Sequence, residues 1–178
     1  MVSVASRRSL DDVWTVLRGV PDPEIPVISI VDLGIVRGVR WNQEQADELV
    51  VTLTPTYSGC PATAVIADSV RQALREAGVA HARIETTLSP AWTTDWLSEA
   101  GKERLAQFGI APPGMRAGGD VRSIDISRLR SQGRSEAVRC PRCGSFATEL
   151  LSRFGSTPCK AQYRCRTCAE PFDYFKPH

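Results

Sequence analysis

Two CxxC pairs, CPRC and CRTC, place Cys140, Cys143, Cys165 and Cys168 on either side of a stretch long enough for a β-hairpin. No other feature restricts the fold as much. Each pair can set two thiolates on one turn, and two such turns brought together by the intervening chain form the tetrahedral sulfur cage that Zn²⁺ prefers. Gly144 follows the first pair, where a residue with positive φ lets backbone N–H groups turn toward the sulfurs. Ala169 occupies the equivalent place after the second pair. Iron-binding knuckles want glycine in both places, whereas zinc ribbons tolerate the departure, so the pattern favours zinc. Two disulfides are the competing arrangement.

The disulfide alternative is weighed by compartment. The chain has 178 residues, 42% of them apolar, enough for one ordinary domain and a small satellite. No run approaches the ~18 apolar residues of a membrane span, and MVSVASRRSL lacks the apolar core of a signal peptide. A cytoplasmic protein with no membrane partner is therefore expected, and reduced thiols there favour metal over disulfides. The net charge of +2 is unevenly spread. Residues 1–115 carry 10 basic and 14 acidic side chains, and residues 116–178 carry 12 and 6. Arg139, Arg142, Arg164 and Arg166 beside the knuckles are read first as a solvated face or a docking face for an acidic protein, and second as a phosphate footprint.

Ser9 followed by Leu10, Val13, Trp14 and Leu17 predicts a capped amphipathic helix ending at Gly19. VPDPEIPV then stiffens a loop with prolines 21, 23 and 26. Ile35, Val39 and Trp41, then Leu49, Val51 and Leu53, predict two strands joined by NQEQAD. After Pro61, the stripe Ile66, Val70, Ala73, Leu74, Ala77 predicts a helix ending at Gly78. Ala82, Ile84, Thr86 and Leu88 alternate as a third strand, and a rougher stripe predicts a helix over Asp95 to Phe108, with Gly101 weakening it. The order helix, strand, strand, helix, strand implies an α+β two-layer sandwich with a small C-terminal zinc ribbon. The expected domains are 1–110 with a helical extension at its end, a Pro/Gly/Ser/Arg-rich linker over 111–137, and the ribbon over 138–178.

Cys60, in TPTYSGCPA, should stand at the N-terminal end of the strongest helix, where backbone N–H groups and the dipole favour a thiolate. It can be a nucleophile, an iron ligand or a small buried hydrophobe. Thr54, Thr56, Tyr57 and Ser58 supply hydroxyls around it, and Gly59 permits a close or unusual backbone path. Asp22 and Glu24 are carboxylates on a rigid loop, able to bind a hard metal or move a proton, although acids between prolines are more often turn formers.

VPDPEIPVISIVDLGIV followed by VTLTPTYSGCPAT resembles the SufT-like family of iron–sulfur assembly domains over about residues 9–90. AWTTDWLSEAGKERLAQFGIAPP and the ribbon sequences CPRCGS, FGSTPCKAQYRC and EPFDYFK extend the resemblance to the PaaD (PaaJ) family, accessory subunits encoded with bacterial ring 1,2-phenylacetyl-CoA epoxidase. The resemblance implies the same sandwich fold and a pocket shared by Asp22, Glu24, Thr56 and Cys60. It further implies a role in phenylacetate catabolism as a maturation factor for the metal centres of the oxygenase; the leading expectation built on this is a non-catalytic protein whose Cys60 transiently holds iron or an iron–sulfur cluster while the ribbon, with structural zinc, docks the oxygenase. Implied partners are the oxygenase or reductase subunits of the epoxidase and, more broadly, iron–sulfur assembly machinery; a homodimer is compatible with the sequence.

Three other readings compete: a structural subunit with Cys60 merely buried, a nucleic-acid-binding ribbon, and a thiol enzyme that lacks a histidine near Cys60. Cys159 is read as a buried strand cysteine before an alternative ligand or resolving thiol. His81 and His178 have no ligand spacing, and Trp92, Trp96, Phe172, Tyr174 and Phe175 are read as packing.

Overall fold

Ser9 starts the first helix, α1 (Leu10–Arg18), by accepting the Asp12 N–H on its Oγ at 3.1 Å, and Asp11 and Asp12 lie in the positively polarised first turn. The computed structural model describes residues 7–45, 47–114 and 138–177; the N-terminal leader reading, most of the expected linker and His178 lie outside the described residues. The described chain divides into two compact units, which part between residues 104 and 105.

In the first unit, β1 (Val36–Trp41) pairs antiparallel with β2 (Glu48–Leu53), which pairs parallel with β3 (His81–Thr86). The parallel pair needs a crossover, and α2 (Thr63–Glu76) supplies it. Ile66, Val70 and Leu74 form the buried stripe of α2, each contributing about 1.5–3 kcal/mol by leaving water. The helix ends as expected at Gly78, whose φ of +85° lets the Val79 N–H reach back to the Leu74 carbonyl at 2.8 Å. Both helices cover one face: α1 contacts β1 and α2, and α2 contacts β3. The central strand is covered on both sides, since Leu49, Val50 and Val51 are all fully buried.

Two expectations need correction. Leu88 lies beyond the end of β3 and is exposed, because the chain turns at Thr87, whose Oγ1 donates to the Ser89 carbonyl at 2.9 Å. The helix expected from Asp95 is instead one 3₁₀ turn, Thr94–Trp96, then α3 (Glu99–Phe108). Ser98 causes the break: its Oγ accepts the Gly101 N–H at 2.9 Å and donates to Asp32 Oδ1 at 2.8 Å. Asp32 Oδ2 also accepts from Ser29 Oγ at 2.9 Å and Arg104 at 2.6 Å, tying the extension to the loop before β1. Gly101 is needed for that approach. A Cβ there would lie 2.9 Å from Ile28 Cδ1 and 3.1 Å from the Asp32 carbonyl oxygen.

In the second unit the sheet order is β4-β7-β6-β5, built from β4 (Ile110–Ala111), β5 (Thr148–Ser152), β6 (Lys160–Cys165) and β7 (Pro171–Phe175). β5 and β6 form the hairpin expected between the CxxC pairs. Tyr163 stacks on Phe172 at 5.9 Å and meets Tyr174 edge to face at 5.6 Å in a core that includes Cys140 and Cys165. No described helix is long and apolar enough to cross a membrane.

Gly34 is the tightest backbone approach in the first unit: its φ is +71°, and a Cβ would lie 2.6 Å from that of Trp96. Gly34→Ala is expected to cost about 2–4 kcal/mol through left-handed strain and overpacking. Chemical denaturation of the full chain checks this, and an unchanged midpoint would contradict it.

Candidate functional site

The two knuckles are near copies of one another. Cys140 N–H donates to the Ser145 carbonyl at 2.9 Å and Cys165 N–H to the Glu170 carbonyl at 2.9 Å, each spanning five residues. Gly144 has φ +77° and Ala169 has φ +64°, the only left-handed non-glycine among the described residues. The alanine thus adopts the conformation that glycine would take freely. Ser145 and Thr167 hydroxyls meet across the knuckles at 2.8 Å.

This geometry holds Cys140 and Cys168 Sγ 3.8 Å apart, Cys143 and Cys165 Sγ 3.5 Å apart, and all four sulfurs within 4.8 Å of one another. Tetrahedral bonds of ~2.3 Å to one ion require sulfur–sulfur separations of about 3.8 Å, so the donor set fits zinc. A disulfide needs ~2.05 Å, and all six cysteines are free thiols. The backbone N–H groups of Cys168 and then Thr167 hold the Cys165 thiol down to about 6, against the opposing effect of burial. Although the Glu170 N–H favours its thiolate, Cys168 is carried up to about 12 by burial and three neighbouring sulfurs. Four negative sulfurs cannot coexist at this distance without a cation. Cys159 lies just before β6, buried, with its Sγ 3.0 Å from Thr157 Oγ1, and outside the quartet.

Cys60 sits on a different kind of turn. Its N–H donates to the Tyr57 carbonyl at 3.2 Å, and its own carbonyl accepts from Thr63 N–H at 3.3 Å and Thr63 Oγ1 at 2.9 Å. α2 begins at Thr63, so Cys60 lies three residues before it. The expected thiolate stabilisation is outweighed. Burial pushes the Cys60 thiol up; the Ala62 N–H and Thr63 hydroxyl oppose this, while the Glu24 and Asp22 carboxylates add to it. Those carboxylates act on the sulfur because the proline loop folds back toward it. Asp22 N–H donates to the Ile28 carbonyl at 2.9 Å, Pro21 bridges Ser29, and buried Asp22 Oδ1 accepts the N–H groups of Glu24 at 2.9 Å and Ile25 at 2.8 Å.

Thr56 is buried on the same segment without a hydrogen bond to the sulfur. Gly59 has no positive φ, and a Cβ there would make only ordinary contact with the Tyr57 ring at 3.7 Å, so the unusual path expected of it is absent. Thr54 adds an unforeseen feature: it is fully buried, and its Oγ1 has no hydrogen-bond partner. An unmet hydroxyl costs about 1–3 kcal/mol, which marks the segment leading to Cys60 as one not built for stability alone. Only the density of threonines in TLTPTY hinted at it.

Two outcomes follow. Ala169→Gly should stabilise the metal-loaded ribbon by about 0.5–1 kcal/mol, seen as greater resistance to chelators, with Gly144→Ala acting oppositely. In the cysteine site, Asp22→Ala should cost about 2–3 kcal/mol by stranding two backbone donors, while Glu24→Gln stays within about 0.5 kcal/mol. Removing the Glu24 charge lowers the thiol pKa, so alkylation of Cys60 at pH 8, followed by peptide mass spectrometry, should be faster in Glu24→Gln. A slower rate would contradict the electrostatic account.

The profile of the PaaD zinc beta ribbon domain matches residues 125–176, and that of the iron-sulfur cluster assembly protein family matches residues 10–85. The chain is 46% identical over 165 residues to a "Putative 1,2-phenylacetyl-CoA epoxidase" subunit of Escherichia coli K12, covering 93% of this chain and 91% of that one. It is 40% identical over 102 residues to the Fe-S protein maturation auxiliary factor of Porphyromonas gingivalis, covering 56% of this chain and 90% of that one. To the Fe-S protein maturation auxiliary factor YitW of Bacillus subtilis it is 32% identical over 96 residues, covering 53% and 91%. The epoxidase protein matches 93% of the chain, and the two profiles match consecutive parts of it, so the chain belongs to the PaaD family of phenylacetyl-CoA epoxidase proteins, an iron-sulfur cluster assembly domain followed by a PaaD zinc ribbon.

Proposed function

We propose that the protein is an accessory factor that assembles or delivers iron, as ions or as an iron–sulfur cluster, to the phenylacetyl-CoA epoxidase. Cys60 holds the cargo transiently, Glu24 and Asp22 supply negative charge beside it, and Thr56 lies on the same segment. The quartet Cys140, Cys143, Cys165 and Cys168 holds a structural zinc, and the ribbon docks an epoxidase subunit. One feature carries the reading: a half-buried thiol whose ionisation is disfavoured by its burial and by two neighbouring carboxylates. A cation arriving there reverses both effects, since it favours the thiolate and is attracted by the acids. The names of the relatives support it from a second direction.

Zinc, when bound, would crosslink the knuckles and supply folding energy to the ribbon; four thiolates leave no open position on it. Chemistry at the cargo site therefore falls to this chain's own Cys60 thiol. A structural-subunit reading also draws on the raised thiol, because a buried cysteine can simply fill space.

The two diverge in one experiment. Epoxidase purified from cells carrying Cys60→Ala should contain several-fold less iron and turn over correspondingly slowly, while its subunits still assemble. Full metallation with wild-type turnover would sink the maturation reading and leave the structural one.

A further inference from the structure

The ribbon carries a surface that neither metal centre uses. Phe154 is 67% exposed, the most exposed large apolar side chain among the described residues, and Leu151 beside it is 52% exposed. It is not loosely held. Lys176 Nζ sits 4.7 Å from the Phe154 ring centroid and donates to the Arg153 carbonyl at 3.3 Å, which fixes the ring against the end of β7. Arg153, Phe154 and Lys176 wall a cleft of about 340 Å³ floored by Leu150, Tyr163 and Tyr174. The floor is the open end of the ribbon core, with the Tyr163 and Tyr174 rings meeting edge to face. β5, which contributes Leu150, is the edge strand of the four-stranded sheet.

Charge selects the occupant. Arg153 and Lys176 line the cleft, and among the described residues no acidic side chain does. The nearby acids are engaged elsewhere: Glu149 pairs with Arg166 at 2.8 Å and Asp173 with buried Lys160 at 3.5 Å. Over the described ribbon, 138–177, seven basic side chains face three acidic ones. An apolar side chain entering the cleft gains burial against aromatic walls, and a carboxylate beside it gains two cations at the rim.

We propose that this cleft is where the ribbon docks its protein partner, through an exposed segment that presents an aromatic or leucine side chain flanked by carboxylates. The proposal rests on the reading that the ribbon docks the epoxidase, and supplies the residues and partner chemistry. The other ribbon arginines, 139, 142, 164 and 166, are not among the residues lining the cleft, which favours a peptide over nucleic acid there.

The test measures binding of the full-length protein to the purified epoxidase by titration at two salt concentrations. Phe154→Ala should weaken binding about tenfold, and Arg153→Glu with Lys176→Glu at least as much, with the salt dependence reversed in sign because salt now screens a repulsion. Retained zinc in each variant shows that the ribbon is folded, and Cys60→Ala should bind as wild type, so docking and cargo handling are read separately. Unchanged affinity in both cleft variants overturns the cleft alone. Absence of any wild-type binding removes ribbon docking, and the cleft with it. Displacement of the epoxidase by a fluorescein-labelled single-stranded 20-mer from wild type, but not from the double variant, would reassign the surface to nucleic acid.

Discussion

The buried carboxylate of Asp22 governs the geometry of the first unit's site. By accepting two successive N–H groups it closes a loop whose prolines have already removed competing donors, and the closed loop carries Glu24 toward Cys60. Burying a carboxylate is costly unless its lone pairs are met, and here backbone donors meet them. The same placement leaves two negative groups acting on one half-buried thiol. Stability alone does not ask for that. It is an arrangement that becomes favourable when positive charge is added.

The ribbon solves the opposite problem. Its four sulfurs converge at the distance of a closed tetrahedral site, with backbone N–H groups turned toward them by the left-handed Gly144 and Ala169. A saturated cage suits folding and offers no vacant position for chemistry. On the proposed function, the feature most conspicuous in the sequence is the structural one, and the solitary cysteine is the chemical one. The two units divide the work as their charges do, the first acidic and the second basic.

Much of this was readable from residue order because local physics decided it. Ser9, Gly78 and the stripe Ile66, Val70, Leu74 announce helix ends and faces by caps and period, and the CxxC spacing announces the cage. What escaped depended on distant partners. The break at Ser98 exists because Asp32 lies across the fold to receive its hydroxyl, and Gly101 is tolerated for the same reason. The shift of Cys60 runs opposite to the direction its place before a helix suggests, since burial and two carboxylates from another loop outweigh the Ala62 N–H and the Thr63 hydroxyl. Phe154 carries no signal of its own in the sequence, because only the folded sheet sets Lys176 over its ring.

On the proposed function the chain holds two metal centres of different character, one structural and one for cargo. Elemental analysis of the anaerobically purified full-length protein, with and without Cys60→Ala, tests it directly. Zinc equimolar with the chain in both proteins, and iron present only in the wild type, is the predicted result. Iron that survives the substitution, or zinc lost with it, would contradict the assignment of cargo to Cys60 and of structure to the quartet.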